Sequence, residues 1–163
     1  MENALRVSHV SKDYPGFSLK DISFELPKGS VMGLIGQNGA GKTTTLKSIL
    51  GLISSEGEIE ILGSVSGKET LAKKEEIGVV FDEMNFYETL TPEETGKIFH
   101  KIYKNWDRKQ YQEYLKKFRL PEKKEIKTFS KGMQVKLSLA VALSHHAKLL
   151  ILDVNWCNKI ACI

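Results

Sequence analysis

The sequence has no apolar run long enough to cross a bilayer, and its first six residues lack the apolar core of a secretory signal peptide. We therefore expect a cytoplasmic protein. Cysteine is scarce, because Cys157 and Cys162 are the only two and both lie within the last seven residues. No nearby side chains complete a metal-ligand pattern, so we interpret them as free thiols. Internal repeats and low-complexity tracts are also missing.

Charge of one sign does not dominate either, since the net charge is +4 over 163 residues. This length, with 41% hydrophobic residues, is typical of one soluble globular domain with a real core. The charge is uneven, because residues 97–131 carry twelve Lys and Arg against four acids. A solvated face is the favoured interpretation. Binding to nucleic acid, lipid headgroups or an acidic partner is the alternative.

A glycine-rich motif is the most informative stretch of the chain. Residues 36–43 read GQNGAGKT and match G-x-x-x-x-G-K-[ST], the phosphate-binding P-loop. The short apolar run Val31–Ile35 before it predicts a buried strand, and residues 44–50 have helical apolar spacing that stops at Gly51. A strand, a glycine loop and a helix are the context that this motif requires.

The chemistry of such a loop is electrostatic. Glycines let successive N–H groups turn inward around phosphate oxygens, and the helix N-terminus adds partial positive charge. Lys42 is expected to reach the β- and γ-phosphates, and the Thr43 hydroxyl to bind Mg²⁺. A small-molecule P-loop kinase or a GTPase is the least favoured class, because the guanine-reading pattern N-K-x-D is absent and neither class explains Ser130–Met133.

Strand patterns surround the P-loop. Leu5–Val10 alternates weakly and suggests an edge strand, and Phe17–Leu26 predicts a second strand with one apolar face. Two short apolar runs, Glu58–Leu62 and Ile77–Phe81, predict further strands. Leu149–Asp153 predicts a buried strand that ends on an acid.

Three helices are predicted between residues 91 and 146. Thr91 before Pro92 is typical of an N-cap, Asp107 begins the second helix, and Ser130 caps the third, which runs to His146. His145 and His146 are then expected near a helix C-terminus, where histidine is favoured. The apolar stripe of the first helix is predicted to comprise Ile98, Phe99, Ile102, Tyr103 and Trp106. These aromatics indicate a core rather than a platform for stacking nucleic-acid bases.

Further features, in order around the P-loop, resemble the nucleotide-binding subunit of an ABC transporter, and the resemblance covers about Leu5 to Asp153. Tyr14 lies where that family places an aromatic that stacks on adenine. Phe129–Met133 resembles the L-S-G-G-Q signature in the variant found in bacterial ABC exporters of the ABC-2 type. Leu149–Asp153 resembles the Walker B strand. The signature positions are Ser130, Lys131, Gly132 and Met133.

The resemblance implies an α/β P-loop NTPase fold: a core sheet with an N-terminal antiparallel β part and a helical subdomain, with the C-terminal strands missing. It implies ATP and Mg²⁺ as cofactors. The implied nucleotide-binding residues are Tyr14, Gly36, Asn38, Gly39, Ala40, Gly41, Lys42, Thr43 and Thr44. The implied metal-binding residues are Thr43, Asp153 and Asp82.

The sequence departs from the family pattern at two chemically important positions. Asp82 stands where the family usually has a glutamine that touches Mg²⁺, and Val154 stands where it has the general-base glutamate. Valine has no lone pair to accept a proton. Residues 155–163 match nothing in the family. We therefore expect an ABC ATPase shortened after Walker B, with no intact catalytic set, weak nucleotide binding and little turnover.

The resemblance also predicts organisation and partners. We expect a single incomplete ATPase domain with a β-rich and P-loop part at 1–83, a helical subdomain at 84–128, the signature helix and Walker B at 129–153 and a non-matching tail at 154–163. The expected partner is a membrane-spanning transporter subunit at the inner face of the cell membrane. A homodimer or self-association through unpaired strands is also expected, and nucleic acid is not.

Two alternatives from other functional classes remain open. A non-catalytic regulatory module that binds nucleotide is supported by Val154. A soluble ABC protein that acts on nucleic acid or ribosomes is supported only by the basic stretch, and salt-dependent binding would be its signature.

Overall fold

The structure is a computed structural model that describes residues 2–65, 74–81 and 86–153. The chain divides into two compact units, Met1–Lys74 and Glu75–Ile163. The first unit contains β1 (Asn3–Tyr14), β2 (Phe17–Pro27), α1 (Lys42–Ile49), β3 (Glu56–Ile61) and β4 (Ser64–Val65). The second contains β5 (Ile77–Phe81), α2 (Pro92–Ile102), α3 (Arg108–Lys117), a 3₁₀ turn (Ile126–Thr128), α4 (Lys131–Leu143) and β6 (Leu149–Asp153). A further 3₁₀ turn, Lys74–Glu76, begins at the last residue of the first unit.

The first unit is built on an antiparallel sheet with the strand order β2-β1-β3-β4. β1 pairs with β2 on one side and with β3 on the other, so the prediction that it is an edge strand is wrong. Its apolar residues explain the inner position, because Leu5, Val7 and Val10 are all buried. A weak alternation in sequence indicates a strand but carries no information about how many neighbours it has.

The strand predicted at Val31–Ile35 is not formed. Residues 30–37 have no regular secondary structure, and the side chains of Val31 and Ile35 are 100% and 99% exposed. Strands are stabilised by hydrogen bonds to a neighbouring strand and by burial of a face. None of the described residues forms a strand ladder with this segment, so its apolar composition alone does not make it a strand.

The second unit has a parallel pair of strands. β5 and β6 pair in register from Ile77 opposite Leu149 to Phe81 opposite Asp153. Both strands were predicted from their short apolar runs, and α4 packs against β5. Because the strands are parallel, their carboxyl ends lie at one edge, and Asp153 is at that edge.

The helices begin where the sequence predicts. The Thr91 hydroxyl accepts a hydrogen bond from the Glu94 N–H, and the Glu94 carboxylate accepts one from the Thr91 N–H, which completes a capping box. The Asp107 carboxylate caps α3 by accepting from the Gln110 N–H at 2.9 Å. Such signals are local, so sequence alone reveals them.

The predicted apolar stripe of α2 is only partly correct. Ile98 and Ile102 are 40% and 56% exposed, whereas Thr95 and Gly96 are buried. The buried Tyr111 ring of α3 explains this orientation, because a Cβ on Gly96 would lie 2.5 Å from the Tyr111 Cε1. The helix therefore turns its smallest residue toward Tyr111 and its isoleucines outward.

An apolar core joins the helices of the second unit. Its buried members are Trp106, Tyr111, Leu115, Leu120, Ile126, Phe129, Leu137, Ala140 and Val141. The aromatic side chains predicted as core rather than base-stacking residues are mostly in or against this cluster. In the part of the chain that the structure describes, no helix is long and apolar enough to span a bilayer.

Candidate functional site

The P-loop of the first unit is a tight turn that leads directly into α1. The Ala40 N–H donates to the Gln37 carbonyl at 3.1 Å, and Gly41 is the N-cap with φ 92°. Gly39 also has a positive φ of 84°. These left-handed conformations favour glycine and let successive N–H groups point to one side of the loop.

Gly41 is restricted by packing as well as by conformation. A Cβ at this position would lie 2.8 Å from the Leu19 Cδ1 and 3.0 Å from the Phe17 Cζ, both on β2. The loop therefore rests on the apolar side chains at the start of β2. Because the residue after Gly41 begins a helix, this contact also fixes where the N-terminus of α1 lies.

The side chains that follow Gly41 have distinct environments. The Lys42 Nζ donates to the Gly36 carbonyl at 2.6 Å and to the Gln37 carbonyl at 2.9 Å. Lys42 is thus held across the mouth of the loop, where an ammonium group can meet a phosphate. Thr43 is exposed, and Thr44 is half-buried. The buried Thr45 hydroxyl instead donates to the Gly41 carbonyl at 2.9 Å and has a structural role.

The remaining loop residues of the predicted site, Gly36, Asn38, Gly39 and Ala40, are exposed. Tyr14, the predicted adenine-stacking residue, is the last residue of β1 and is 41% exposed. The Lys12 Nζ lies 5.6 Å from the centre of the Tyr14 ring, which is a cation–π distance. Lys12 belongs to none of the sequence motifs, but residues two apart on a strand share a face, and the spacing of Lys12 and Tyr14 is a signal for this contact.

The signature residues lie in the second unit at the start of α4. The Ser130 hydroxyl accepts a hydrogen bond from the Met133 N–H at 3.3 Å, so Ser130 is the N-cap, as predicted. Ser130, Lys131 and Gly132 are exposed. Met133 packs against the apolar core of this unit. The helix therefore presents its first residues to solvent and is anchored by the methionine.

The predicted Walker B aspartate lies at the carboxyl end of β6. Asp153 is half-buried and is opposite Phe81 in the parallel ladder. Asp82 and Val154 follow these two residues and lie outside the described residues, so their predicted roles stay predictions. The parallel register does place the last residues of the two strands side by side.

A buried histidine is a feature that the sequence patterns did not predict. His145 is 1% exposed and follows α4 in a turn, where its Nδ1 is 3.0 Å from the Glu75 carbonyl oxygen. Burial lowers the pKa of His145, and the hydrogen bond to Glu75 opposes this only in part. The neighbouring Tyr103 has a raised pKa because of burial and the charge of Glu75. His145 and His146 were expected near a helix C-terminus, and they follow the end of α4 directly.

The chemistry of the predicted residues fits ATP and Mg²⁺. Lys42 is held against the loop carbonyls of Gly36 and Gln37, and its ammonium group and the loop amides are donors suited to phosphate oxygens. Magnesium in nucleotide sites is held by one or two protein oxygens together with phosphates and water. Thr43 carries a hydroxyl and Asp153 a carboxylate, which are ligand types of this kind, and their roles as magnesium ligands stay predictions. Among the described residues no three His, Cys, Asp or Glu gather as a metal cluster.

The P-loop, the capped signature helix and the strand ending on aspartate define a P-loop NTPase. A family model described as "ABC transporter" matches residues 19–154. The chain therefore belongs to the ABC transporter family, as the sequence resemblance indicated.

Individual relatives agree with this assignment. The linearmycin resistance ATP-binding protein LnrL of Bacillus subtilis is 40% identical over 156 residues, which cover 91% of this chain and 50% of that protein. The bacitracin transport ATP-binding protein BcrA of Bacillus licheniformis is 34% identical over 94% of this chain and 51% of its own length. The chain thus spans about half the length of these curated relatives.

A solved structure supports the fold. The structure of an ATP-binding subunit of an ABC transporter matches with a TM-score of 0.81 and 30% identity, and covers 92% of this chain and 65% of that one. The predicted fold class, a P-loop NTPase of the ABC ATPase type, is confirmed. Sequence identity at this level is consistent with the family assignment from the motifs.

Proposed function

We propose that this chain binds MgATP at its P-loop and acts as the ATP-binding part of a bacterial ABC transporter. In this role Lys42 and the loop amides hold the phosphates, Thr43 and Asp153 hold the magnesium shell, and Tyr14 stacks on the adenine. The single observation that carries the proposal is the conformation at Gly41. Gly41 has a left-handed φ of 92° and packs closely on Leu19 and Phe17 of β2, which supports a glycine-dependent phosphate loop at the start of α1.

We further infer that hydrolysis is slow. Val154 follows the Walker B aspartate, where a general base would have to accept a proton from the attacking water. A hydrocarbon side chain does not do this. Binding then depends on the P-loop, and turnover depends on a group that the sequence does not supply at this position. Asp82 would approach the metal in place of the usual glutamine.

The proposed partner is a membrane-spanning transporter subunit, and the proposed location is peripheral to the inner face of the cell membrane. Relatives whose names refer to transport or resistance support this. The exposed Ile98 and Ile102 of α2 add an apolar surface within the helical region that we assign to this contact. We also propose that the chain self-associates. Extended segments without a strand ladder would pair with a second copy, in the way that unpaired edge strands pair with another chain.

Calorimetric titration with MgATP tests the central proposal. We expect saturable binding by the unmodified chain and an affinity lowered about tenfold or more in Lys42→Ala, because a charge-assisted contact to phosphate is lost. Lys47→Ala is the matched control, since Lys47 is an exposed lysine on the same helix. Absence of binding by the unmodified chain, or equal losses in both variants, would contradict the proposal.

A non-catalytic regulatory module is a second candidate, and Val154 specifically favours it. The two candidates differ in what ATP binding achieves. A transport ATPase changes its interaction with a membrane subunit through cycles of hydrolysis, whereas a regulatory module responds to binding alone. The test compares ATP with a non-hydrolysable ATP analogue in a complex with the partner protein. If the analogue alone changes the interaction with the partner as fully as ATP does, the regulatory module is favoured.

A further inference from the structure

A shallow open pocket in the second unit lies outside the P-loop and the signature helix. It has a volume of about 600 Å³ and is lined by residues 104–109 together with His146. This segment connects the end of α2 to the start of α3. Trp106 is 8% exposed and belongs to the apolar core, so a buried aromatic residue forms part of the pocket wall.

The pocket wall is fixed to the rest of the unit by the backbone. The Asp107 N–H donates to the Ser144 carbonyl at 2.7 Å, which ties the segment to the end of α4. The Asp107 side chain caps α3, and the ring of Tyr103 is stacked on His145. The backbone that carries the basic side chains of this segment is therefore held from both ends.

The charges around the pocket are unbalanced. Lys104, Arg108 and Lys109 line it, and none of the three forms an ion pair with a carboxylate among the described residues. Asp107 is the single acid in the lining. One of its oxygens accepts from the Gln110 N–H, and the other lies 3.7 Å from the His146 Nε2. The acid is thus engaged within the fold, while three exposed basic side chains line the same concavity. Arg108 is also close enough to Glu93 to help lower the pKa of that carboxyl.

We propose that this basic pocket binds a phosphate group, carried either by a small anion or by an anionic lipid headgroup. A guanidinium and two ammonium groups supply donors that suit phosphate oxygens, and the volume is that of an ordinary small-ligand site. The pocket belongs to a different unit from the P-loop. The proposal is independent of ATP binding and is tested in a background in which the P-loop lysine is removed.

Inorganic pyrophosphate is the probe for the first experiment, and Trp106 is the reporter. The sequence has only two tryptophans, so a Trp156→Phe and Lys42→Ala background leaves Trp106 as the sole fluorophore of its type and weakens binding at the P-loop. We expect a saturable change in Trp106 emission as pyrophosphate is added. The double variant Arg108→Gln and Lys109→Gln should weaken the apparent affinity about tenfold or more, because two charged donors are lost.

The matched control is Lys116→Gln together with Lys117→Gln. Both lysines are exposed on the same helix. Their substitution removes the same amount of charge as the test variant, but at a position away from the pocket. The affinity of this control variant for pyrophosphate should stay within about twofold of the background, because exposed charges at a distance are screened. No saturable change in Trp106 emission, or the same loss in both double variants, would overturn the proposal.

Vesicles identify the source of the phosphate group. Phosphatidylcholine vesicles with and without phosphatidylglycerol are sedimented with the same variants. Binding that needs phosphatidylglycerol, is competed by pyrophosphate and is lost in Arg108→Gln with Lys109→Gln assigns the site to a lipid headgroup. Pyrophosphate binding without vesicle binding assigns it to a small anion. Tighter binding of a single-stranded oligonucleotide that increases with its length would overturn the assignment to a small phosphate group and indicate a nucleic-acid surface.

Discussion

The imidazole ring of His145 lies against the phenol ring of Tyr103, with the ring centroids 4.0 Å apart and the planes within 3° of parallel. The Nδ1 of the same imidazole is 3.0 Å from the Glu75 carbonyl oxygen. Because a carbonyl only accepts hydrogen bonds, Nδ1 carries the proton of a neutral imidazole. The side chain is buried, so the folded protein disfavours the second proton and the pKa of His145 is lowered.

We expect this histidine to make stability depend on pH. The unfolded chain takes up a proton near the ordinary histidine pKa of about 6.5, whereas the folded chain does so only at lower pH. The contribution of His145 to the free energy of unfolding is therefore complete above the pKa of the unfolded chain. It is lost as the pH falls from there through the lowered pKa of the folded state. In urea unfolding at a series of pH values, the contribution to the slope is at most about 1.4 kcal/mol per pH unit.

His145→Phe should flatten this slope, because the ring stack is kept and the titrating group is removed. His100→Gln is the control, since it removes an exposed imidazole from α2. The change of slope in His145→Phe should exceed the change in His100→Gln. The slope rather than the absolute stability is the readout, because the substitution also removes a hydrogen bond. An unchanged slope in His145→Phe would mean that another group titrates.

Gly96→Ala is expected to destabilise the helical region. The new methyl group would meet the Tyr111 ring at 2.5 Å, and that ring is fixed by the hydrogen bond from its hydroxyl to the Pro92 carbonyl at 2.8 Å. Overpacking of this kind costs about 1–3 kcal/mol. The replacement of glycine by alanine in a helix gains up to about 1 kcal/mol, so the overpacking cost is expected to dominate. Urea unfolding measures the difference.

The control for Gly96 is Lys101→Ala, at an exposed position of the same helix. It should change the free energy of unfolding by less than about 0.5 kcal/mol. If Gly96→Ala were more stable than the unmodified chain, then helix propensity would dominate and the close approach of Tyr111 would not limit the site.

The features that the sequence revealed are local ones. Thr91, Asp107 and Ser130 were predicted as helix caps because a cap is decided within three residues, and the structure has all three. The P-loop turn was predicted for the same reason. Each of these motifs contains its own hydrogen-bond partners, so neighbours far away in the sequence do not alter it.

The features that the sequence did not reveal depend on distant partners. Val31–Ile35 has the composition of a strand but no ladder with a described neighbour, and β1 is an inner strand because β3 lies on its second side. The spacing of Ile98 and Ile102 was helical, yet Tyr111 decides which face of α2 is buried. Periodicity identifies a face but not the element that packs against it.

The two left-handed glycines of the P-loop should differ in their response to alanine. At Gly41 the φ is 92° and a Cβ would contact Leu19 at 2.8 Å, so Gly41→Ala combines backbone strain with a clash. At Gly39 the φ is 84° and nothing lies within 4 Å, so only strain of about 1–2 kcal/mol is expected. Urea unfolding and MgATP titration of both variants compare the two costs.

We expect Gly41→Ala to lower both the unfolding free energy and the MgATP affinity more than Gly39→Ala does. The physical reason is the close packing of Gly41 on Leu19, because a methyl group at this position would displace the start of α1. Equal effects would show that the conformation of the loop, and not its contact with β2, controls the site.

The identity of residue 154 should control turnover if the nucleotide is bound as proposed. Val154→Glu supplies a carboxylate directly after Asp153, and general-base catalysis typically contributes about 10²–10⁴-fold. We therefore expect the steady-state rate of ATP hydrolysis to rise about tenfold or more, with MgATP affinity little changed. Val154→Gln is the matched control, because its amide has similar size but does not take the proton. Equal rates in the two variants would contradict the proposed reason for slow hydrolysis.

The exposed segment before the P-loop is expected to drive self-association. Val31 and Ile35 are 100% and 99% exposed. An exposed apolar segment whose backbone N–H and C=O groups form no strand ladder is a template for pairing with another chain. The double variant Val31→Lys and Ile35→Lys should shift sedimentation-velocity profiles toward the monomer at a given concentration, because charge on such a segment opposes pairing. Leu52→Lys with Tyr87→Lys is the control, since these side chains are exposed elsewhere at 57% and 77%. A similar shift in both would attribute association to general hydrophobicity, and no association of the unmodified chain would refute the role of this segment.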